Sequence, residues 1–256
     1  MKKILTLLLA LWMLTVCVAM AAGNQLVVGS TTAMSGAFFT DLFGSNTADI
    51  DVRALLHGYN LMSWDHETGT YQINDSVVAG MAVSRDAQNN RVYTFDLYGD
   101  LKFSDGSAIT AKDYAFSILL TASPELAKLG GQSAAVGAIL GMDAYQSGKS
   151  SVLRGVRLLS DTQMSITISK AYEPYFYEMA LFDYSPYPIS VLAPGCKVVD
   201  TEKGVGIVNA SGTGTAIFTA ALLQKTILDA ATGYMSHPSV VSGPYTLTSY
   251  DAQSGT

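Results

Sequence analysis

Residues 91–120 read RVYTFDLYGDLKFSDGSAITAKDYAFSILL, and they decide the fold class. Tyr93, Phe95 and Leu97 alternate with Val92, Thr94, Asp96 and Tyr98, the two-residue period of a half-buried strand. Gly99 and Asp100 interrupt that run, and Leu101, Lys102 and Phe103 resume it as a second short strand. Ser104, Asp105 and Gly106 then make a turn in which glycine supplies the positive φ. Thr110 with Asp113 three residues on is a capping-box pattern at the start of a helix. Ala111, Tyr114, Ala115, Ile118 and Leu119 recur at helical spacing on one face of it.

Composition sets the frame around this ββα unit. The chain has 256 residues, 49% hydrophobic and 14% charged, enough apolar content and length to build a packed core. Fourteen tyrosines accompany only fifteen Lys and Arg, and the net charge is −6. Nucleic-acid binding needs a basic footprint, which this charge pattern lacks, and anionic membrane surfaces are equally poorly matched.

The first 22 residues have the layout of an export signal. Lys2 and Lys3 form a positive end, residues 4–16 are apolar, and small residues follow at Ala19, Ala21 and Ala22. Two processing routes fit. Cleavage after Ala21 uses Ala19 and Ala21 as the small-residue site, whereas Leu14, Thr15, Val16 and Cys17 resemble a lipobox with Cys17 as the lipid-bearing residue. Val16 stands where Gly, Ala or Ser is usual. Either route exports the protein, to a periplasmic or extracellular location. After cleavage at Ala21 only Cys196 remains, so no internal disulfide forms.

The motif of residues 93–117, with Tyr93, Phe95, Leu97, Lys102, Phe103, Ser104, Asp105, Gly106, Thr110, Ala111, Asp113 and Ser117, resembles the family 5 extracellular solute-binding proteins. These are the receptors of oligopeptide, dipeptide and nickel ABC importers. Tyr98 departs from the family pattern, which usually has Arg there. Similar passages run along the rest of the chain: His57, Gly58, Tyr59 and Trp64; Gly141, Tyr145 and Gly148; residues 156–168; and Gly243, Pro244, Tyr245, Ser249 and Tyr250. The resemblance implies an α/β fold, the first lobe of a type II periplasmic binding protein, with a mixed sheet flanked by helices and hairpins over residues 23–256. Relatives of this family are longer, so the second lobe is expected to be missing and binding by this span to be impaired.

Several elements are expected along the way. Residues 26–29 read as a buried parallel strand feeding the small polar loop 30–36. Strand ends of open α/β sheets are where ligands sit, and in relatives this segment lies against the ligand. The resemblance thereby nominates Thr31, Thr32, Met34 and Ser35 as ligand-binding; an ordinary surface loop is the competing reading. Asp49 or Asp51 can cap a helix that Gly58 ends, residues 59–64 and 71–73 read as strands, and residues 75–85 as a lead-in. Ser123 and Pro124 open a short helix. Further helices are expected over 132–140, 171–181 and 216–230, strands over 156–159 and 163–168, and a closing strand over 240–251. The glycine-rich stretches at Gly204, Gly206 and 211–215 read as flexible connection, since they lack the lysine and spacing of a phosphate-binding loop.

Catalytic chemistry finds little support. His57, His66 and His237 form no metal-ligand spacing, Asp49, Asp51, Asp105 and Asp113 are accounted for by caps and turns, and there is no nucleophile elbow. No cofactor is implied. The expected partners are a peptide or other small solute and the membrane permease of an importer. Two other readings compete with the receptor: a secreted hydrolase, and a surface interaction module that keeps only the lobe fold.

Overall fold

The computed structural model describes residue 26 and residues 28–44, 46–132 and 137–255. The export signal, its cleavage sites and Cys17 lie outside the described residues. The chain divides into two units, Met1–Thr31 and Thr32–Thr256.

In the first unit the described residues form neither helix nor strand, and Leu26 and Val28 are exposed. The expected buried parallel strand over 26–29 is thus corrected. An apolar run becomes a strand only when a neighbour takes up its peptide groups, and among the described residues no strand pairing includes 26, 28 or 29.

The second unit opens with α1 (Thr47–Leu56), capped by Asn46 rather than by Asp49 or Asp51. The Asn46 side chain accepts from the Asp49 amide, and Asp49 reaches back to the Asn46 amide, a reciprocal capping box. The helix stops at Leu56, with His57 already extended, so Gly58 is not its terminator. The hairpin β1 (Met62–Asp65) and β2 (Thr70–Ile73) follows, turned through Gly69 at φ +64°.

Residues 75–85 are more than a lead-in: Val78–Arg85 is β3, an edge strand, paired with β4 (Arg91–Leu97). The strand alternation in β4 is as the sequence predicts, with Tyr93, Phe95 and Leu97 inward. The second short strand at 101–103 is reduced to a single bridge between Lys102 and Ala108, because the Gly106 turn follows too soon for a ladder to grow.

Thr110 and Asp113 form the expected capping box on α2 (Ala111–Thr121). This helix is not buried on one face only. Phe116, Ser117 and Leu120 are enclosed as fully as Tyr114 and Ile118, so α2 is a central element, and full burial of each large apolar side chain contributes roughly 2–3 kcal/mol. The short helices α3 (Pro124–Ala127) and α4 (Met142–Gln146) come next. Of the helix expected over 132–140, residues 133–136 lie outside the described residues, and 137–140 hold turns and a single bridge, Ile139 to Ile168.

Strands β5 (Val152–Leu153), β6 (Val156–Leu158) and β7 (Gln163–Ile168) precede a segment that breaks the expected helix 171–181. That stretch instead holds two 3-10 turns, Lys170–Tyr172 and Glu178–Phe182. Pro174 is the reason: the residue before a proline is driven out of the helical region, and Glu173 sits at φ −95°, ψ 140°. Glu173 and Glu178 tie the segment to the sheet through Arg85 and Arg91, at 2.5–3.2 Å.

After α5 (Ile189–Leu192), Gly204 and Gly206, expected to mark loose connection, belong to a hairpin, β8 (Cys196–Thr201) with β9 (Gly204–Asn209), while 211–215 lies in the loop beyond it. Gly206 is there for closeness: a β-carbon on it would meet the Ser151 carbonyl oxygen at 2.9 Å. Helix α6 (Ala220–Ile227) is shorter than the expected 216–230, starting at the Thr219 cap. Residues 240–251 form no strand. They thread between other segments, with Ser104 donating its amide to the Val241 carbonyl at 2.8 Å and Ser242 accepting from the Gly58 amide at 3.1 Å.

Among the described residues the strands form three antiparallel sheets, ordered β1-β2, β3-β4-β7-β6 and β5-β9-β8. Helix α2 packs against β6, β8 and β9, joining the second and third sheets into one core. No helix among the described residues is long and apolar enough to cross a membrane.

Candidate functional site

The loop nominated from sequence is split by the structure. Thr31 falls in the N-terminal unit and is exposed. In the second unit Thr32 and Ser35 are exposed and Met34 is half-buried. The Met34–Gly36 backbone is fastened at several points. Asp49, fully buried at the start of α1, accepts from the Ser35 amide at 2.8 Å, the Ser35 hydroxyl at 2.5 Å and the Gly36 amide at 3.2 Å. Tyr250 donates its hydroxyl to the Met34 carbonyl at 3.0 Å, and Asn46 donates its amide to the Ala33 carbonyl at 2.9 Å.

Burial alone opposes ionisation of Asp49, yet the hydrogen bonds from Ser35, Asn46 and Gly36 outweigh it and hold the carboxyl below its ordinary value. A charged carboxylate thus locks the loop onto the helix. The local sequence helps: the short side chains at Ser35, Gly36 and Ala37 let the backbone approach the first turn of α1.

Ser35 and Gly36 open onto a cavity of about 270 Å³, together with Ala37, Phe43, the 228–230 turn, Met235 and Ser236. Thr32 and Met34 do not line it. Its polar groups are already engaged. Ser35 bonds Asp49, the Ser236 hydroxyl meets His237 Nδ1 at 2.9 Å, and the Asp229 carboxylate accepts from Thr232 and Ala231 within its own turn. Those bonds, the Thr232 hydroxyl foremost, lower the Asp229 pKa. What remains is a recess faced by Phe43, Leu228 and Met235, with the charged Asp229 carboxylate committed to its own turn. Its apolar side chains suit an apolar group.

Behind the loop, Phe38 and Phe39 are buried. Phe39 meets Tyr187 and Tyr234 edge-on at 4.7 and 4.9 Å, and His57 lies 5.9 Å from it. His57 Nε2 donates to the Phe38 carbonyl at 3.0 Å. Burial drives its pKa down to about 4, so the ring is neutral and structural. Cys196 is half-buried, its thiol pushed up by burial. Among the described residues no His, Cys, Asp and Glu side chains gather as a metal-ligand group.

A larger cavity, about 670 Å³, lies among α3, α4 and the β9–α6 loop, with Tyr145, Ile207 and Phe218 in its lining and Glu125 and Lys128 also on its wall. Its wall at 212–214 is the stretch taken from sequence as flexible. Asn209 organises it: the side-chain amide donates to the Thr213 and Thr215 carbonyls at 3.0 and 2.8 Å, and its oxygen accepts from the Ile217 amide at 2.9 Å. Sequence reading missed this cavity because each of its three segments is unremarkable alone. An Asn followed by a Gly/Ser/Thr run was the available signal.

Comparison with known proteins follows the same direction. The family model of bacterial extracellular solute-binding proteins, family 5 Middle, matches residues 76–256. The periplasmic oligopeptide-binding protein OppA of Escherichia coli is 33% identical over 111 residues, 43% of this chain and 20% of that protein. The dipeptide-binding protein of Lactococcus lactis subsp. cremoris is 29% identical over 162 residues, 61% of this chain and 28% of its own length. The chain therefore spans between a fifth and three-tenths of these two relatives. Lactococcal OppA, solved with an endogenous peptide in the closed conformation, shares the fold at a TM-score of 0.56 and 18% identity, over 87% of this chain and 35% of that one. With a family model covering well over half its length, the chain belongs to the bacterial extracellular solute-binding proteins of family 5.

Proposed function

We propose that this chain is part of the substrate-binding component of an ABC importer and captures extracellular peptides for uptake. The observation that carries the reading is the family match over residues 76–256, with relatives whose names specify oligopeptides and dipeptides. The mechanism is reversible capture without chemistry, and delivery is to a membrane permease. An extended peptide is held mainly by hydrogen bonds along its backbone, with pockets accepting alternate side chains. Thr31, Thr32, Met34 and Ser35 are the proposed ligand-contacting loop, and the recess of Phe43, Leu228 and Met235 beside Ser35 is the proposed seat for one apolar side chain.

Because the chain spans only a fraction of its relatives, its own affinity is expected to be weaker than that of a whole receptor. Buried contact is lost in proportion, at ~25 cal/mol per Å² of apolar area. The proposed location is periplasmic or extracellular. The mass of the exported protein distinguishes cleavage after Ala21 from a lipid-bearing Cys17.

The test is thermal denaturation of the protein with pools of di- to pentapeptides. A rise in Tm that sharpens on one peptide class, and that Phe43→Ala reduces, supports capture at the recess. No rise with any pool, at concentrations up to several millimolar, sinks the peptide reading. Release of peptide fragments during the incubation would favour a hydrolase instead.

A further inference from the structure

A third cavity, of about 460 Å³, opens beside the edge strand β6, away from the Ser35 recess and sharing no residue with it. Arg154, Arg157, Gln88, Thr167, Asp86 and Leu140 line it. Its side chains are rich in donors. In a chain with only fifteen Lys and Arg against twenty-one Asp and Glu, two guanidinium groups facing one concavity call for a reason.

The neighbouring carboxylates do not consume them. Asp200 accepts from Arg157 through Nε alone, at 2.9 and 3.0 Å, and also from the Leu158 amide at 2.8 Å. Among the described residues neither terminal nitrogen of Arg157 has a partner, and the guanidinium plane is held in place by Asp200. Asp86 is turned away into its own turn. It accepts from the Gln88 and Asn90 amides and from the Asn90 side chain at 2.8–2.9 Å. Arg154 makes no hydrogen bond or ion pair with any described residue; its charge only adds to the Asn90 bond in lowering the Asp86 pKa.

An exposed, unpaired arginine ordinarily sits on a backbone that can move. Arg154 does not. A β-carbon on Gly204 would lie 2.8 Å from the Arg154 Cα, one on Gly141 would lie 3.2 Å from its Cβ, and one on the adjacent Gly155 would lie 2.7 Å from the Leu140 amide nitrogen and carbonyl oxygen. Three glycines therefore let neighbouring backbone close around this residue. Glycine at such close approaches costs chain entropy, and here the close packing fixes where the Arg154 side chain starts.

We propose that Arg154 and Arg157 form an oxyanion-binding site, with Gln88 and Thr167 beside them, that takes the phosphate or carboxylate group of a small solute. A guanidinium presents paired N–H donors in the spacing that matches both oxyanions. The cavity volume falls within the range of small-molecule sites, several hundred Å³, so there is room for more than a bare ion. The site is independent of peptide capture. One chemistry has two sources here, a free solute or an anionic headgroup, and the experiment separates them.

Calorimetric titration of the protein with inorganic phosphate and with succinate, at low ionic strength, is the primary measurement. Binding is expected, weakened at least tenfold in Arg154→Gln and several-fold in Arg157→Lys, which keeps the charge but loses the fork. Lys128→Gln removes one positive charge from the 670 Å³ cavity instead and should bind as wild type does. In parallel, co-sedimentation with phosphatidylglycerol vesicles reads the headgroup source. Vesicle binding lost in Arg154→Gln, without binding of either free anion, assigns the site to a headgroup. Equal binding by wild type and Arg154→Gln, equal weakening in Lys128→Gln, or no binding of any of the three probes overturns the proposal.

Discussion

The Gly243 amide donates to the Leu56 carbonyl at 2.7 Å, and the two backbones lie so close that a β-carbon on Gly243 would stand 2.3 Å from the Leu55 carbonyl oxygen and 2.5 Å from the Leu56 carbonyl carbon. Nothing there is a flexible side-chain end that could step aside. Gly243→Ala must push the 240–243 segment off the end of α1. Forced overpacking of this kind costs about 3 kcal/mol, or roughly 6–12 °C in Tm for a domain of this size. Gly58→Ala, whose β-carbon would meet the Ser242 carbonyl oxygen at 3.3 Å, should cost distinctly less. Equal melting temperatures for wild type and Gly243→Ala would show that the segment is not packed as described.

Two capping carboxylates should respond to pH in opposite senses. Asp49 has its pKa lowered in the folded state: burial opposes this, but bonds from Ser35, Asn46 and Gly36 prevail. The unfolded chain therefore binds a proton first. The contribution of Asp49 is whole above the ordinary carboxyl value of 3.8 and fades as pH falls through the lower folded value. Asp113 has its pKa raised by burial, so its contribution is largest in acid and declines as pH rises from 3.8 through the raised value. Asp49→Asn should thus cost most near neutrality, about 2–3 kcal/mol, and Asp113→Asn relatively more near pH 4. Denaturant titrations at about pH 3, 4 and 7 measure both, the lowest reaching the window in which Asp49 fades.

His57 supplies a second acid sensitivity. Its folded pKa is about 4 against an ordinary 6.5, burial being the main cause. Between those values the unfolded chain takes up a proton that the folded chain refuses, so stability falls as pH drops from 6.5 towards 4. The loss amounts to about 2–3 kcal/mol. His57→Gln keeps a donor for the Phe38 carbonyl and cannot titrate, so its stability should be flatter across that window. A slope equal to that of wild type would mean another group is responsible.

Asn209→Ala removes the side chain that gathers the Thr213, Thr215 and Ile217 backbone groups. A modest cost is expected, about 1–2 kcal/mol, with a large local effect. Residues 211–215 should become the first site of limited proteolysis and lose amide-exchange protection, while the β8–β9 hairpin keeps its own. Unchanged cleavage would mean the glycine-rich run holds its shape unaided.

The stretch at 91–120 was legible because each of its signals is local: alternation in β4, the Gly106 turn, and the pairing of Thr110 with Asp113. What sequence could not show is that α2 would be enclosed beyond Lys112 on nearly all sides, since that depends on sheets formed 40 to 90 residues further on. The failures have the same origin. An apolar run at 26–29 reads as a strand whether or not a partner strand exists. Residues 171–181 carry a helical apolar pattern, and Pro174 outweighs it. The glycines at 204 and 206 looked like slack, but they mark close contact with Leu153, Arg154 and Ser151. Of the nominated loop, Ser35 reaches a cavity, whereas the residues opposite it, from the 228–230 turn and from Met235 and Ser236, are nearly 200 residues away and carried no motif.

The bonds between Gly58 and Ser242 span 184 positions, and this separation has a consequence for how the chain is made. The end of α1 and Gly58 are synthesised early, yet their partners at 242–245 leave the ribosome more than 180 residues later. Loop-closure entropy is paid across most of the second unit before these contacts repay it, so closing this seam is expected to be slow relative to formation of the β3–β4 hairpin. A nascent chain halted before residue 243 keeps this seam open. The seam is then the place where an unfinished molecule presents free backbone to a chaperone or to another unfinished copy.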